Sequence, residues 1–385
     1  MRVLFVTNGH GEAAIADRIA SELRSLVADA RIDHLALVGD RPGDAMSHVG
    51  PRRPMPSGGL VAMGNTRNLL RDVRAGLLPL TWKQMNFLRG ARGGYAVAVA
   101  VGDAYALAMT TFARAPTVFV GTAKSAKVAR YGRFERRILA RASACFVRDE
   151  ATADALRRGG LQAEVANAIV DLFATPDEPD AELAVTGFAP AIALLPGSRE
   201  EAYDDAAFLL DVTRELAARR AGLGGILSIA PGLDSDRFAR DAQRAGWQAR
   251  AQSDPRIPFV LSAGSSEIVR GWRGALGPLL ARVSLVLGQA GTANEAAAAA
   301  GVPVIAFERE RDRTARWYRQ RQQGLLGDAL AVLAGTRDDA VAGVEAILDD
   351  PARRMHMAEA GRASMGESGG ARRIAQRIAT MLVQS

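Results

Sequence analysis

Residues Leu285–Glu308, LVLGQAGTANEAAAAAGVPVIAFE, constrain the fold more than any other stretch of the chain. The apolar run Leu285–Leu287 reads as a buried strand, and Gly288-Gln289-Ala290-Gly291-Thr292 breaks it. An alanine-rich helix is predicted from near Ala293, and a second apolar strand, Val302–Phe307, follows Gly301. A strand, a glycine turn and a helix N-terminus bring unpaired backbone N–H groups and a positive dipole end to one point. That combination is a phosphate site. Thr292, Asn294 and Glu295 stand within one turn of it, and Glu295 offers an acceptor for a sugar diol. The local chemistry points to a nucleotide-type ligand.

The same alternation runs through the chain. The first half opens with a strand (Arg2–Thr7), a glycine loop (Asn8–Glu12) and a helix (Ala13–Val27), with a further strand at His34–Val38. Ala96–Val101, Thr117–Val120 and Ala144–Val147 are near-continuous apolar runs, as expected for parallel strands buried on both faces. Thr175–Asp180 (TPDEPD) is the best linker, and the series then restarts with strands at Ala191–Leu195, Gly225–Ala230 and Phe259–Leu261. Residues after Asp350 read as helical. Strands alternating with helices imply a parallel sheet. The expected architecture is α/β, with two doubly wound Rossmann-like domains facing a cleft, over residues 1–175 and 190–350. C-terminal helices over 351–385 are expected to pack back on the first domain. At 385 residues the chain exceeds one typical core.

Composition narrows the function. With 48% hydrophobic and 24% charged residues the chain is an ordinary globular protein. Aromatics at 5% argue against nucleic-acid binding by base stacking. A single cysteine, Cys145, fits a reducing compartment, and four scattered histidines lack zinc spacing. No metal is expected. No apolar run is long enough to span a bilayer, so the expected location is cytoplasmic, with room for a peripheral place on the inner face of the membrane. The formal charge of +7 favours phosphorylated ligands or anionic lipid, unless it reflects only a composition rich in arginine and alanine.

Several motifs carry chemistry. Asn8-Gly9-His10-Gly11-Glu12 follows the first strand, and Gly9, Gly11 and Ala14 fit a G-x-G-x-x-A pattern with Asp40 ending the second strand. A tight strand-to-helix turn explains the glycines equally, but His10 and Glu12 would then point into the cleft. Pro196-Gly197-Ser198-Arg199 also follows a strand. Ser198 supplies a hydroxyl, and Arg199 a planar fork suited to a diphosphate, or a surface partner for Glu200 or Glu201. Asp103, after Val101-Gly102, either takes a proton from an acceptor hydroxyl or caps the next helix. Asp234-Ser235-Asp236 has a D-x-D spacing but reads better as a cap. Thr66–Arg92 is basic and amphipathic, suited to an anionic membrane surface or to packing on its own domain. In the charge run Glu308–Gln323, Gln320, Gln322 or Gln323 are placed to hydrogen-bond a sugar.

LLPGSREE followed by LGQAGTANEAAAAAGVPVIAF resembles the C-terminal donor domain of GT-B glycosyltransferases. With NGHGEAAIA at the start, the set most resembles the lipid-A-disaccharide synthase family, nearest its related branch. The resemblance implies inverting transfer of a sugar, such as a GlcNAc-type unit, from a UDP-sugar to a lipid-linked or glycolipid acceptor. It implies neither a metal nor another cofactor. The family's arginine after P-G-S matches Arg199, implying diphosphate contact, and its glycine turn and glutamate match Gly291, Thr292 and Glu295, implying phosphate contact and ribose binding. The residues' own positions add Ser198, Gln289, Asn294, Gln320 and Gln323 to the expected donor set. Asp103 best matches the family's catalytic aspartate. His10 resembles a histidine in the glycine loop of the lipid-II-forming N-acetylglucosaminyltransferases. The loop Asn8, Gly9, Gly11 and Glu12 would face the acceptor. The family's aspartate-proline-aspartate stretch is replaced here by GDAYALA.

A UDP-GlcNAc 2-epimerase-like isomerase of the same fold is the alternative. It acts on the UDP-sugar and needs no lipid. A dinucleotide-dependent oxidoreductase would rest on the Gly9-x-Gly11 turn alone, and a non-catalytic nucleotide-binding protein would release no UDP.

Overall fold

A computed structural model describes residues 1–38, 45–53, 72–172, 180–309 and 313–384. Asp40, linker residues 175–179 and the 66–71 part of the basic segment lie outside the described residues. The chain forms two compact units. One comprises Met1–Leu172 with Glu367–Ser385, and the other Phe173–Gly366.

The first unit carries seven strands. They are β1 (Arg2–Thr7), β2 (Arg31–Ala36), β3 (Ser47–His48), β4 (Val97–Gly102), β5 (Thr117–Gly121), β6 (Ala144–Val147) and β7 (Glu164–Val165). All pair in parallel, in the order β3-β2-β1-β4-β5-β6-β7. Every residue of β4, β5 and β6 is buried, which is why these strands read as unbroken apolar runs. The order reverses between β1 and β4, and ligands of open α/β sheets bind at such switch points, beyond the strand C-termini. The helix Gly370–Val383 packs on the helix His10–Leu26 within this unit. The helix Leu77–Gly90 is anchored by buried Gln84, whose amide donates to the carbonyls of Ala36, Leu37 and Pro51 at 3.2, 3.0 and 3.1 Å.

His34 lies fully buried in β2, bonded to the Thr7 hydroxyl at 2.9 Å. Burial, then the charges of His48 and Arg52, lower its pKa from 6.5 to about 4. The folded state therefore holds His34 neutral while the unfolded chain charges it. This stability is complete above pH ~6.5 and is lost as pH falls toward ~4, by about 3 kcal/mol in total. Replacing His34 by Gln is expected to flatten this acid limb in melting curves taken from pH 4 to 7.

The second unit carries β8 (Ala191–Leu195), β9 (Gly224–Ser228), β10 (Gln248–Ala251), β11 (Phe259–Ala263), β12 (Ser266–Trp272), β13 (Leu285–Gly288), β14 (Val304–Glu308) and β15 (Leu330–Ala334). Their order is β10-β11-β12-β9-β8-β13-β14-β15. β10, β11 and β12 form an antiparallel edge, and the remaining pairs are parallel. Here the switch point falls between β8 and β13. Leu194, Leu287, Ile305 and Phe307 share one core with Leu209, Leu216 and Val344 from the covering helices. The helix Pro351–Met365 packs within this unit, against the helix Thr292–Ala299.

Candidate functional site

In the second unit, β8 and β13 pair with Leu195 opposite Gly288, so the loops leaving them run side by side. The Gln289 amide donates to the Leu195 carbonyl at 2.8 Å and ties the two loops together. Gly197 takes φ +117°, a conformation open to glycine, and turns the β8 loop outward. Ser198 and Arg199 are exposed on it. Glu200 is ion-paired with Arg237 at 2.6 Å, and the Arg199 side chain has no partner among the described residues.

The turn after β13 is held from beneath. Asn294, fully buried, donates from Nδ2 to the Gly288 carbonyl at 3.1 Å and to Gln322 Oε1 at 3.2 Å. Gln322 Nε2 donates to the carbonyls of Ala290 and Gly291, both at 3.1 Å. Arg319 donates to the Gly288 carbonyl at 3.4 Å and to Gln289 Oε1. Gln289 in turn donates to the Phe307 carbonyl at 3.2 Å. A trans peptide sets each C=O antiparallel to the following N–H. With the Ala290 and Gly291 carbonyls facing inward, the N–H groups of Gly291 and Thr292 face the other way. The helix Thr292–Ala299 starts without a side-chain cap, and the amides of Gly291, Thr292 and Ala293 make no hydrogen bond among the described residues. These three successive donors, at the start of a helix, are the kind of group that receives an anion. Thr292 and Glu295 are half-buried there, whereas Gln320 and Gln323 are exposed further along their helix.

In the first unit, the β1 loop and the end of β4 meet at the switch point. His10 is the first residue of the helix His10–Leu26, and Gly9 is its N-cap. Gly11 and Glu12 are half-buried in the first turn. A Cβ on Gly9 would lie 2.4 Å from Glu12 Oε2, and one on Gly102 would lie 2.2 Å from Asn8 Oδ1. Gly102, at φ +138°, holds a conformation open to glycine, whereas at Gly9 the neighbour is the flexible end of Glu12. Asp103 caps the helix Ala104–Thr110, accepting from the amides of Tyr105 and Ala106 at 2.9 and 3.0 Å. Burial pushes its carboxyl above the ordinary carboxylate range, although those amides and the Asn8 side chain pull the other way; Glu135 raises it further. Capping and proton transfer are not exclusive, since both cap bonds go to Oδ1.

Sequence reasoning passed over the groups around Asp103. Lys124, in the loop after β5, pairs with Glu135 at 2.7 Å, and Glu135 also accepts from the Gly132 amide at 2.8 Å. The Tyr131 hydroxyl and Thr122 Oγ1 are buried without a hydrogen-bond partner among the described residues. No motif marks these residues; the signal available was their place after a predicted strand, as for Asp103. A cavity of about 470 Å³ lined by Arg2, Phe87, Arg92 and Tyr95 opens at the other end of this sheet, where β1 begins, away from the switch point. Asp234 is a helix cap, accepting from the Asp236 amide at 2.9 Å and pairing with Arg240.

Two Rossmann-like units with parallel sheets and helices at the C-terminus define the GT-B fold, and solved structures of that fold match across the whole chain. S. aureus MnaA, in a co-structure with UDP, aligns with a TM-score of 0.64 at 14% identity over 100% of this chain and 98% of that one. The UDP-GlcNAc 2-epimerase of Neisseria meningitidis, bound to UDP-GlcNAc, gives 0.58 at 14% identity, covering 100% of each chain. CalG4, the calicheamicin glycosyltransferase, gives 0.57 at 16% identity, over 100% of this chain and 98% of that one. No known protein family's sequence profile matches the chain, and no curated protein sequence matches it.

Proposed function

We propose that the protein is an inverting, metal-independent glycosyltransferase that moves a sugar from a UDP-sugar to a lipid-linked acceptor, as in the lipid-A-disaccharide synthase-related branch. The observations that carry this reading are the row of free amides at Gly291–Ala293 after β13 and, in the loop after the neighbouring β8, Arg199, whose side chain has no partner among the described residues. Together they supply the donors that a diphosphate leaving group needs. The relatives in fold crystallised with UDP and UDP-GlcNAc support the ligand class. Glu295, one turn from these amides, is assigned to the ribose.

In the reaction, the acceptor hydroxyl oxygen attacks the anomeric carbon from the face opposite UDP. The bond from that carbon to the phosphate oxygen breaks, and UDP leaves with the electron pair. Arg199 and the free amides stabilise the developing charge. Asp103 or His10 takes the hydroxyl proton. A lipid acceptor accords with the helix Leu77–Gly90, which keeps Leu78 and Trp82 64% and 59% exposed beside exposed Arg74 and Lys83. No helix among the described residues is long and apolar enough to cross a membrane.

The second reading is a UDP-GlcNAc 2-epimerase. It is favoured by the relatives in fold that are UDP-GlcNAc 2-epimerases. Incubation with UDP-GlcNAc alone separates the two: an epimer supports the isomerase. UDP release that requires membrane lipid extract supports the transferase. In either case Glu295→Ala is expected to weaken UDP binding about tenfold, read by calorimetry. Unchanged affinity removes Glu295 from the donor site.

A further inference from the structure

Beneath these amides, every inward carbonyl of the turn is claimed by a side chain. Gln322, only 3% exposed, spends both amide hydrogens on Ala290 and Gly291, and its oxygen is fixed by Asn294 Nδ2. Asn294 is itself held by the two bonds from its Nδ2, and its Oδ1 lies against Gly288, where a Cβ would come within 1.9 Å. A glycine turn left to itself has many conformations, and ordering one on binding costs affinity. We infer that Gln322, oriented by Asn294, is a positioning residue: it holds the Ala290 and Gly291 carbonyls inward, so that the amides of Gly291, Thr292 and Ala293 stand preset for a diphosphate.

The inference rests on the donor-site reading above and adds to it a residue that never touches the ligand. Gln322 is suited to this task where Glu is not. A carboxylate at this position would face two carbonyl oxygens, whereas the amide offers one hydrogen to each.

The test is calorimetry of wild type and Gln322→Met with three probes: pyrophosphate, UDP and uridine. Met keeps the length and volume and removes both donors. The expected result is a loss of about tenfold or more for pyrophosphate and UDP, with uridine affinity unchanged. Equal losses for uridine and UDP would mean general damage and overturn the inference, as would an unchanged response to pyrophosphate. If wild type binds pyrophosphate but not UDP, the donor reading fails while pyrophosphate still decides the role of Gln322. If wild type binds neither, the turn is not an anion site and both fall. Gln322→Glu is the second variant, for use if Gln322→Met does not fold. Its deficit in pyrophosphate affinity relative to wild type should widen as pH rises and the new carboxyl ionises. A deficit independent of pH would count against the inference.

Discussion

Asp103→Asn is expected to lower turnover by about 10²–10⁴-fold while leaving the fold intact. Asparagine caps a helix as well as aspartate does, so the bonds to Tyr105 and Ala106 survive, and only the ability to take a proton is lost. Asp103→Ala should show the same loss of turnover and also melt lower, by about 1 kcal/mol for the missing cap. The pH–rate profile supplies the sign. A base must be ionised, and burial holds this carboxyl above the ordinary range. Activity should therefore fall as pH drops through that raised pKa, at a higher pH than a solvent-exposed aspartate would give. Linkage runs the other way for stability. Ionising a carboxyl whose folded pKa is raised costs stability, a cost present at neutral pH and relieved as pH falls. Asp103→Asn should therefore be at least as stable as wild type at pH 7. Full turnover in Asp103→Asn would remove it as the base and leave His10 as the candidate.

Arg199→Ala is expected to reduce UDP affinity by roughly 10–100-fold, as losing hydrogen bonds to a charged group does. Its melting temperature should not change, because the guanidinium is exposed and holds nothing within the protein among the described residues. Arg199→Lys should recover only part of the affinity, since a point charge lacks the two-pronged geometry that fits a diphosphate. The pairing of affinity loss with unaltered stability distinguishes a ligand contact from a surface ion pair. A donor KM unaffected by Arg199→Ala would move the diphosphate site away from the β8 loop.

The parallel strands were the most legible part of the chain, for a plain reason. Strands buried on both faces, such as β4, β8 and β13, need apolar residues at every position, and that pattern survives in one dimension. Two strands did not stand out. β10 (QARA) is largely exposed, and β12 (SEIVRGW) mixes polar and apolar residues although it pairs on both sides, with β11 and β9. β10 is the edge strand, which need not be hydrophobic and so leaves little trace. The glycine turns after β1, β8 and β13 were visible because close approach and φ > 0 select glycine, as at Gly197.

The division of roles within the site was less visible. Gln320, Gln322 and Gln323 are near-identical in sequence, yet only Gln322 reaches the turn, together with Arg319 three residues earlier on the same helix face. Asn294 and Glu295 are adjacent, but one is fully buried under the turn and the other half-buried beside it. A 3.6-residue period says which positions share a face and not which face turns inward. Lys124, Tyr131 and Glu135 likewise join Asp103 only because β5 pairs beside β4.

The sequence by itself determined the α/β alternation and the positions of the glycine turns, because burial periodicity and glycine geometry are local constraints. Only the tertiary structure decided which polar side chains face the ligand side of those turns and which hold them from behind. That choice depends on strand order and helix rotation, which bring together residues distant in sequence, such as Gln322 and Ala290, 32 positions apart.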